Sequence, residues 1–275
     1  MLKDKIAAIS DVNKKNIPSS FQVIGDIVLL KPKTKSLKIN KKITHAILKL
    51  FPRIKTVCEI VQVRGELRKP KVKKLAGDGF ETIHKEHGIL YKLDVRKIMF
   101  SKGNLSERKR LITQIKNNEI IVDMFAGIGY FSLGIAKFSN AKNIQIYAID
   151  KNPIAFRYLK ENIKLNKIKN ITPLLGDCRT ISKRLVENNI KADRIIMGYL
   201  PGTEKFLPYA LKLAKSGCII HFHNTYNKSE LWSKPIKDIE YACEKADCAF
   251  SIINTKIVKS YAPNIYHVVV DFEVM

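Results

Sequence analysis

Residues 119–132 read EIIVDMFAGIGYFS, and this stretch predicts the fold of the larger part of the chain. Four residues typical of a strand, 120–123, lead into a turn of small residues, after which an apolar helical pattern begins at Tyr130. Gly127 and Gly129 lack a Cβ where the backbone must turn sharply and a ligand can lie against it. The stretch therefore predicts a strand, a glycine loop and a helix, with a nucleotide as the expected ligand.

Three aspartates follow successive predicted strands at a constant spacing. Asp123 ends the first strand, Asp150 ends the next and Asp177 follows the third, with 27 residues from each to the next. Each interval accommodates a helix and a strand, so the carboxylates are expected at the carboxyl edge of one parallel sheet, where α/β proteins bind ligands. Asp150 is then placed to accept hydrogen bonds from ribose hydroxyls, and Asp177 to approach the exocyclic amine of an adenine. In the alternative interpretation, Asp150 only caps the helix that follows it.

The net charge of the chain indicates a polyanionic partner. Its 275 residues include 50 lysines and arginines against 25 aspartates and glutamates, a formal net charge of +25. Nucleic acid is the first expectation for such an excess. An anionic membrane surface is the alternative, but the sequence shows no amphipathic basic helix, no lipidation signal and no apolar run long enough to span a bilayer. The N-terminus lacks the apolar core of a secretory signal, so a cytoplasmic protein is expected.

The cysteines and histidines predict neither disulfides nor a metal site. The five cysteines are odd in number and form no CxxC pair, which suits neither a disulfide framework nor a zinc knuckle. Two histidine pairs, His84 with His87 and His221 with His223, are close in sequence, but two such residues alone are a weak metal signal. We therefore expect reduced cysteines and no bound metal.

The chain is long enough for two domains, and its pattern changes after residue 104. Residues 1–104 predict a small α+β domain that contains two basic runs, 31–42 and 69–74. Such runs suit contacts to phosphates, and the alternative is a merely solvated, lysine-rich surface. The elements predicted in this domain are a helix within residues 1–20, strands at 21–30, 56–64 and 88–94, and a helix at 41–50.

Residues 105–275 predict an α/β domain with a mostly parallel sheet. A helix is expected to begin after the linker 101–104. The closing strands, 249–256 and 266–274, have no helix between them, which indicates an antiparallel hairpin at the edge of the sheet. The preceding strands, which alternate with helical patterns, are expected near residues 120, 144, 171, 194 and 218.

Four motifs in the larger domain, VDMFAGIGYFS, AIDKNP, NIKLN and GD, resemble those of the class I S-adenosylmethionine enzymes that modify the purine next to the tRNA anticodon. The resemblance covers most of the chain and includes FQVIGDIVLL and HKEHGILYKLDVRKIMFS in the smaller domain. It implies a Rossmann-like domain of the class I methyltransferase type, S-adenosylmethionine as the group donor, a tRNA contacted by residues 1–104, and a monomer. Two branches must be separated, the guanine-37 N1-methyltransferases and the archaeal-type wybutosine-synthesising aminocarboxypropyltransferases.

Two short motifs favour the second branch. The loop 197–203 reads MGYLPGT, and Tyr199 stands where the N1-methyltransferases have an asparagine that helps hold the guanine. The FSPR-type motif of those enzymes appears as FSKG at 100–103, with Gly103 at the position of the arginine that contacts the guanine. The resemblance therefore implies transfer of the 3-amino-3-carboxypropyl group to C7 of 4-demethylwyosine at position 37 of tRNA-Phe. The alternatives are an N1-methyltransferase whose motifs have drifted and a tRNA-binding protein without catalysis.

The resemblance also implies contacts to the group donor and to the acceptor base. An arginine suits the carboxylate of the methionine arm, and an aromatic face suits an extruded base. No histidine–carboxylate pair is evident in the sequence, so no general base is named. The implied contacts are Ser101 and Arg108 to the methionine end, the backbone of Phe125, Ala126 and Gly127 to the ligand, Asp150 to the ribose, Asp177 with Cys178 to the adenine, and Tyr199 stacked on the modified base.

Overall fold

The computed structural model describes residues 2–65 and 67–275, with the backbone alone at positions 64 and 102. The chain forms two compact units, Met1–Phe100 and Ser101–Met275, which divide at the start of the predicted linker. The predicted class is confirmed, because the larger unit is an α/β domain with a mostly parallel sheet and the smaller unit mixes helices with short sheets. No helix in this described part of the chain is long and apolar enough to cross a membrane.

Within the residues that the structure describes, the smaller unit combines two α-helices with a four-stranded sheet and a separate hairpin. Its elements are α1 (Leu2–Ser10), β1 (Gln22–Ile24), β2 (Ile27–Leu30), α2 (Leu37–Leu50), β3 (Thr56–Arg64), β4 (Lys69–Gly77), β5 (Glu81–Glu86) and β6 (Ile89–Asp94). The sheet has the order β1-β2-β3-β4, with β2 and β3 parallel, and β5 pairs with β6. Apolar residues of both helices, including Ile6, Ile43 and Ile47, pack with Val28 and Val57 of the sheet. Burial of these faces stabilises the unit.

Two predictions for the smaller unit are wrong. Residues 21–30 form the hairpin of β1 and β2 rather than one strand, because Gly25 turns the backbone at a φ of 55°. A Cβ at Gly25 would lie 2.0 Å from the hydroxyl oxygen of Thr82 and 2.7 Å from the carbonyl oxygen of Ile83, so the turn admits only glycine. The basic run 69–74, for which the sequence predicts no strand, belongs to β4. This is an edge strand, where solvated lysines are tolerated.

The larger unit is built on a seven-stranded sheet. Its elements are α3 (Leu105–Ile112), β7 (Ile120–Asp123), α4 (Ser132–Phe138), β8 (Gln145–Asp150), α5 (Pro153–Leu165), β9 (Ile171–Leu175), α6 (Cys178–Glu187), β10 (Ala192–Met197), α7 (Leu207–Leu213), β11 (Ala214–Asn227), α8 (Ser233–Ala246), β12 (Phe250–Ala262) and β13 (Ile265–Val274). The order is β12-β13-β11-β10-β7-β8-β9. The strands from β9 to β11 pair in parallel, and β13 pairs antiparallel with both of its neighbours, β11 and β12. The predicted strands and the edge hairpin are confirmed.

The strand register brings the predicted acidic residues to one edge of this sheet. The central strands are apolar and buried, as at Val122 and Ile195, which is typical of a sheet covered by helices on both faces. Asp123 lies opposite Ala148, and Asp150 lies opposite Leu175 at the end of the next strand pair. The carboxyl ends of the central strands therefore carry these aspartates, where the sequence predicts a ligand.

Candidate nucleotide-binding site

The turn between β7 and α4 requires glycine at two positions. Gly127 and Gly129 have positive φ angles of 59° and 97°, which residues with a side chain adopt only at a cost. A Cβ at Gly127 would lie 2.6 Å from a ring carbon of Tyr130, and one at Gly129 would lie 2.6 Å from Cγ of Leu133. The buried amide of Asn162 donates a 3.1 Å hydrogen bond to a carbonyl of the loop. The loop is therefore held in one shape at the carboxyl end of β7.

Asp150 lies against this glycine loop. Its Oδ2 accepts a hydrogen bond from the backbone N–H of Gly127, and its Oδ1 accepts one from Asn152, each at 2.8 Å. Burial raises the pKa of the carboxyl, while these two amides lower it. The N-cap of α5 is Asn152, whose side chain accepts from the N–H of Ile154 at 3.0 Å. The alternative that Asp150 caps this helix is therefore wrong, and each carboxylate oxygen retains a lone pair for a ribose hydroxyl.

The other two aspartates differ from each other in exposure. Asp123 is fully buried and accepts a 2.6 Å hydrogen bond from the hydroxyl of Ser132, and burial raises the pKa of its carboxyl to about 6. Asp177 caps α6 by accepting from the N–H of Arg179 at 2.9 Å. The hydrogen-bonded guanidinium of Arg179, 2.6 Å away, lowers the pKa of Asp177 to about 2. Asp123 thus joins a strand to a helix, whereas Asp177 meets solvent at the sheet edge.

The backbone amides of the predicted contact 125–127 are hydrogen-bonded within the protein. The N–H of Ala126 donates to a carbonyl of β8 at 2.8 Å, that of Gly127 donates to Asp150, and that of Phe125 lies 3.4 Å from Oδ1 of Asp123. A ligand beside this backbone would therefore contact its carbonyl groups rather than its N–H groups.

Cys178 follows Asp177 at the start of α6, with its side chain in the core. The residue is 4% exposed and packs among apolar side chains of the sheet and helices. Burial raises the pKa of its thiol to about 12, so the thiol stays neutral. The adenine contact predicted for this residue would therefore come from its backbone.

Tyr199 belongs to an aromatic cluster at the same edge of the sheet. Its ring stacks on Phe125 at a centroid distance of 5.1 Å and meets Phe206 edge-on at 5.7 Å. Phe206 also meets Phe125 edge-on at 5.0 Å, and the guanidinium carbon of Arg179 lies 5.8 Å from its ring. Phe206 was missed in the sequence because one aromatic residue before a helix is most simply explained as core. The cluster joins the loop after β10 to the glycine loop and to α6.

Ser101 and Arg108, the residues predicted at the methionine end, lie together. The guanidinium of Arg108 donates to the carbonyl oxygen of Ser101 at 3.0 Å, and its central carbon lies 4.9 Å from the ring of Tyr130. The ammonium of Lys259 donates to the Ser101 hydroxyl at 2.8 Å. Lys259 was missed in the sequence because it comes from β12, 158 positions away, and belongs to no local motif.

A buried ionic network anchors α3 to the sheet. Arg110 of α3 pairs with Asp271 of β13. His221 of β11 donates from Nδ1 to Asp271 at 2.6 Å and accepts at Nε2 from Arg194 at 2.8 Å, a tautomer that follows because arginine can only donate. The network thus contains a histidine–carboxylate pair that the sequence did not reveal, since 50 positions separate its members.

Burial and pairing set the charges in this network. Burial lowers the pKa of His221 and outweighs the opposing influence of Asp271, so the ring is neutral. Burial opposes ionisation of Asp271, yet the hydrogen bonds and charges of His221 and Arg110 hold the pKa of its carboxyl below the usual range. Asp271 is therefore a carboxylate enclosed by its partners, with 2% of its surface exposed.

His84 and His223 each contact a residue outside their own sequence pair. The backbone N–H of Gly25 donates to Nδ1 of His84 at 3.1 Å, and Nδ1 of His223 lies 3.0 Å from Nε2 of His267. Over residues 2–65 and 67–275, no cluster of three or more His, Cys, Asp or Glu side chains suits a metal ion. The five cysteines are free thiols.

Comparisons with known proteins give matches along the whole chain. The protein-family model for the TYW2 N-terminal domain matches residues 2–80, and the family model for the TRM5/TYW2 methyltransferase domain matches residues 82–251. The chain is 43% identical over 251 residues to the tRNA(Phe) (4-demethylwyosine(37)-C(7)) aminocarboxypropyltransferase of Methanocaldococcus jannaschii. The match covers 91% of this chain and 96% of the relative.

Two further matches represent a methyltransferase and a solved structure. The tRNA (guanine(37)-N(1))-methyltransferase Trm5b of Pyrococcus abyssi is 34% identical over 260 residues, which are 94% of this chain and 76% of the relative. The crystal structure of P. horikoshii TYW2 in complex with MeSAdo has a TM-score of 0.83 at 34% identity, and the match covers 99% of both chains.

Proposed function

Because the chain belongs to the TRM5/TYW2 methyltransferase family, we propose that it transfers the 3-amino-3-carboxypropyl group of S-adenosylmethionine to C7 of 4-demethylwyosine at position 37 of tRNA-Phe. The aminocarboxypropyltransferase relative is 43% identical and the N1-methyltransferase relative 34%. The observation that carries the choice is that Lys259 fills the space beside Gly103. By the resemblance, this is the position at which the N1-methyltransferases have the arginine that contacts the guanine.

The side chains at the carboxyl edge fit S-adenosylmethionine as the group donor. Asp150 presents carboxylate oxygens for ribose hydroxyls beside a loop in which a side chain at Gly127 would collide with Tyr130. Asp177 follows the next strand and suits the exocyclic amine of the adenine. The buried guanidinium of Arg108 suits the carboxylate of the methionine arm.

The contribution of the protein to the reaction is orientation. When bound, S-adenosylmethionine would supply a sulfonium. C7 would bond to the γ-carbon as the γ-carbon–sulfur bond breaks, the electron pair would leave with methylthioadenosine, and the C7 proton would go to water or a phosphate. A nucleophile held at an activated carbon gains most of its rate from proximity. Tyr199, supported on Phe125, positions the tricyclic base in this proposal. Asp271 takes no proton, since His221 and Arg110 enclose it.

The tRNA partner is supported by the charge of the chain. The net charge of +25 suits a phosphate backbone, and lysines along β4 are exposed, with Lys69, Lys71, Lys73 and Lys74 among them. In this proposal residues 1–104 contact the anticodon region of the tRNA, and residues 105–275 carry the donor site together with Ser101 of the linker. The protein works as a monomer in the cytoplasm.

A double-label experiment tests the reaction. S-adenosylmethionine labelled separately in the methyl and the carboxyl carbon is supplied with tRNA that bears either guanosine or 4-demethylwyosine at position 37. We expect carboxyl label in the tRNA only with the tricyclic base, and methylthioadenosine as the co-product.

Other outcomes would replace the proposal. Methyl label on guanosine, with release of S-adenosylhomocysteine, would establish an N1-methyltransferase, and methyl label on the tricyclic base would also contradict the proposed group transfer. Transfer of neither label by a protein that binds the tRNA would establish a binding protein without catalysis.

A further inference from the structure

The side chain of Lys259 passes directly over Gly103. A Cβ at position 103 would lie 2.7 Å from Cδ and 2.9 Å from Nζ of Lys259. Any residue other than glycine at this position must therefore displace the lysine. The ammonium ends 2.8 Å from the hydroxyl of Ser101. Glycine at 103 and lysine at 259 are thus coupled in space although they are distant in the sequence.

The backbone of β12 aims Lys259 towards this position. The register of β12 on β13 shifts between Ile257 and Lys259, and such irregularities re-aim the side chains that follow. Lys259 is half-buried and lies opposite His267. Burial, the neighbouring His223 and the charge of Lys259 lower the pKa of His267 to about 2. The positive charge of the lysine therefore lies beside a neutral ring.

Consecutive contacts connect Lys259 to the glycine loop. The ring of Tyr130 fills the space at Gly127, and the guanidinium carbon of Arg108 lies 4.9 Å from that ring. Arg108 donates to the carbonyl of Ser101 at 3.0 Å, and Lys259 donates to the hydroxyl of the same serine. Two cationic side chains thus converge on one serine next to the loop.

We propose that Lys259, together with Arg108, binds the carboxylate of the methionine arm and so selects the orientation in which the γ-carbon faces the acceptor base. An ammonium gives a carboxylate a charge-assisted hydrogen bond, and a guanidinium gives it parallel donors. Gly103 contributes by leaving room for the ammonium. The inference rests on the proposed function and adds a specificity-determining residue to it.

Calorimetric titration tests this role with three ligands that differ at the arm. They are S-adenosylmethionine, its decarboxylated analogue and methylthioadenosine, of which only the first carries the carboxylate. Loss of a charge-assisted hydrogen bond in Lys259→Met should weaken the binding of S-adenosylmethionine about 10- to 150-fold and leave the binding of the other two ligands unchanged. Lys259→Arg should restore part of the loss. Gly103→Ala, which displaces the ammonium without removing it, should reproduce part of the loss.

Lys237→Met is the matched control, because it removes one lysine charge from an exposed position on α8. Its affinities for all three ligands should equal those of the wild type. Equal weakening of all three ligands in Lys259→Met, or weakening of none, would overturn the inference while the proposed function stands. A wild-type protein that binds none of the ligands would instead overturn the proposed function, and the inference with it.

Discussion

The ribose end and the methionine end of the candidate site are assembled from contacts of very different sequence range. Asp150 is held by amides 2 and 23 positions away, and Asp177 by Arg179, 2 positions away. At the methionine end, Lys259 reaches Ser101 across 158 positions. Contacts within one strand–helix unit leave a readable motif, whereas contacts between distant strands leave none. The difference explains why Ser101 and Arg108, 7 positions apart, were found with the ribose contacts, whereas Lys259 was not.

Among the contacts between residues distant in the sequence, those of Asp271 should contribute most to the stability of the larger unit. Asp271→Ala removes the buried acceptor that Arg110 and His221 share, and breaking a buried charge pair costs about 3–5 kcal/mol. We expect the unfolding free energy of the larger unit to fall by that amount in a denaturant titration followed by circular dichroism.

An exposed charge pair of the same unit is the control for this loss. Glu161 and Arg157 form an i,i+4 pair at 3.5 Å on the surface of α5. Glu161→Ala should cost at most about 1 kcal/mol, because exposed pairs contribute little. Similar losses in both variants would show that the Asp271 network does not anchor α3.

Asp123 and Asp177, which follow predicted strands at a constant spacing, should affect the pH dependence of stability in opposite directions. Burial raises the pKa of Asp123 from 3.8 to about 6, so the folded state holds its proton more tightly than the unfolded state does. Its stabilising contribution is fully present below about pH 4 and is lost as the pH rises through about 6. The shift corresponds to about 2–3 kcal/mol. The unfolding free energy of the wild type should therefore fall between about pH 4 and pH 7 by more than that of Asp123→Asn, which has no carboxyl to ionise.

Asp177 should show the opposite sign in the same comparison. The hydrogen-bonded Arg179 lowers the pKa of Asp177 to about 2, so its contribution is present above about pH 4 and is lost as the pH falls towards 2. Asp177→Asn should therefore remove stability at neutral pH and little at low pH. The same sign for both variants would mean that burial does not distinguish the two carboxyls.

Replacing Asp150 should weaken the binding of every ligand that contains the ribose. Loss of a charged acceptor for ribose hydroxyls in Asp150→Ala costs about 1.5–3 kcal/mol, or about 10- to 150-fold in affinity. Because the ribose is common to both ligands, titration should show S-adenosylmethionine and methylthioadenosine weakened alike, in contrast to Lys259→Met. Unchanged binding by a folded variant would remove the ribose assignment from Asp150.

The smaller unit shows where pattern alone misleads. Residues 21–30 have the apolar, β-branched content of a single strand, but the chain turns back at Gly25. Thr82 and Ile83 pack so closely against this turn that no side chain fits there. Residues 69–74 have the composition of a solvated run, yet they pair with β3. Ladder hydrogen bonds are made by the backbone, so a lysine-rich segment can complete a sheet when a partner strand is beside it.

The sequence by itself determined the parallel sheet, the glycine loop and the spacing of the three aspartates, because each depends on hydrophobic periodicity or on contacts within one strand–helix unit. Only the tertiary structure decided the roles of Lys259 and Asp271, since β12 and β13 bring them to partners 158 and 161 positions away. It also decided the charge states. Asp123 and Asp177 follow equivalent strands, yet burial raises the pKa of one and Arg179 lowers that of the other, because desolvation and pairing depend on what surrounds a side chain in space.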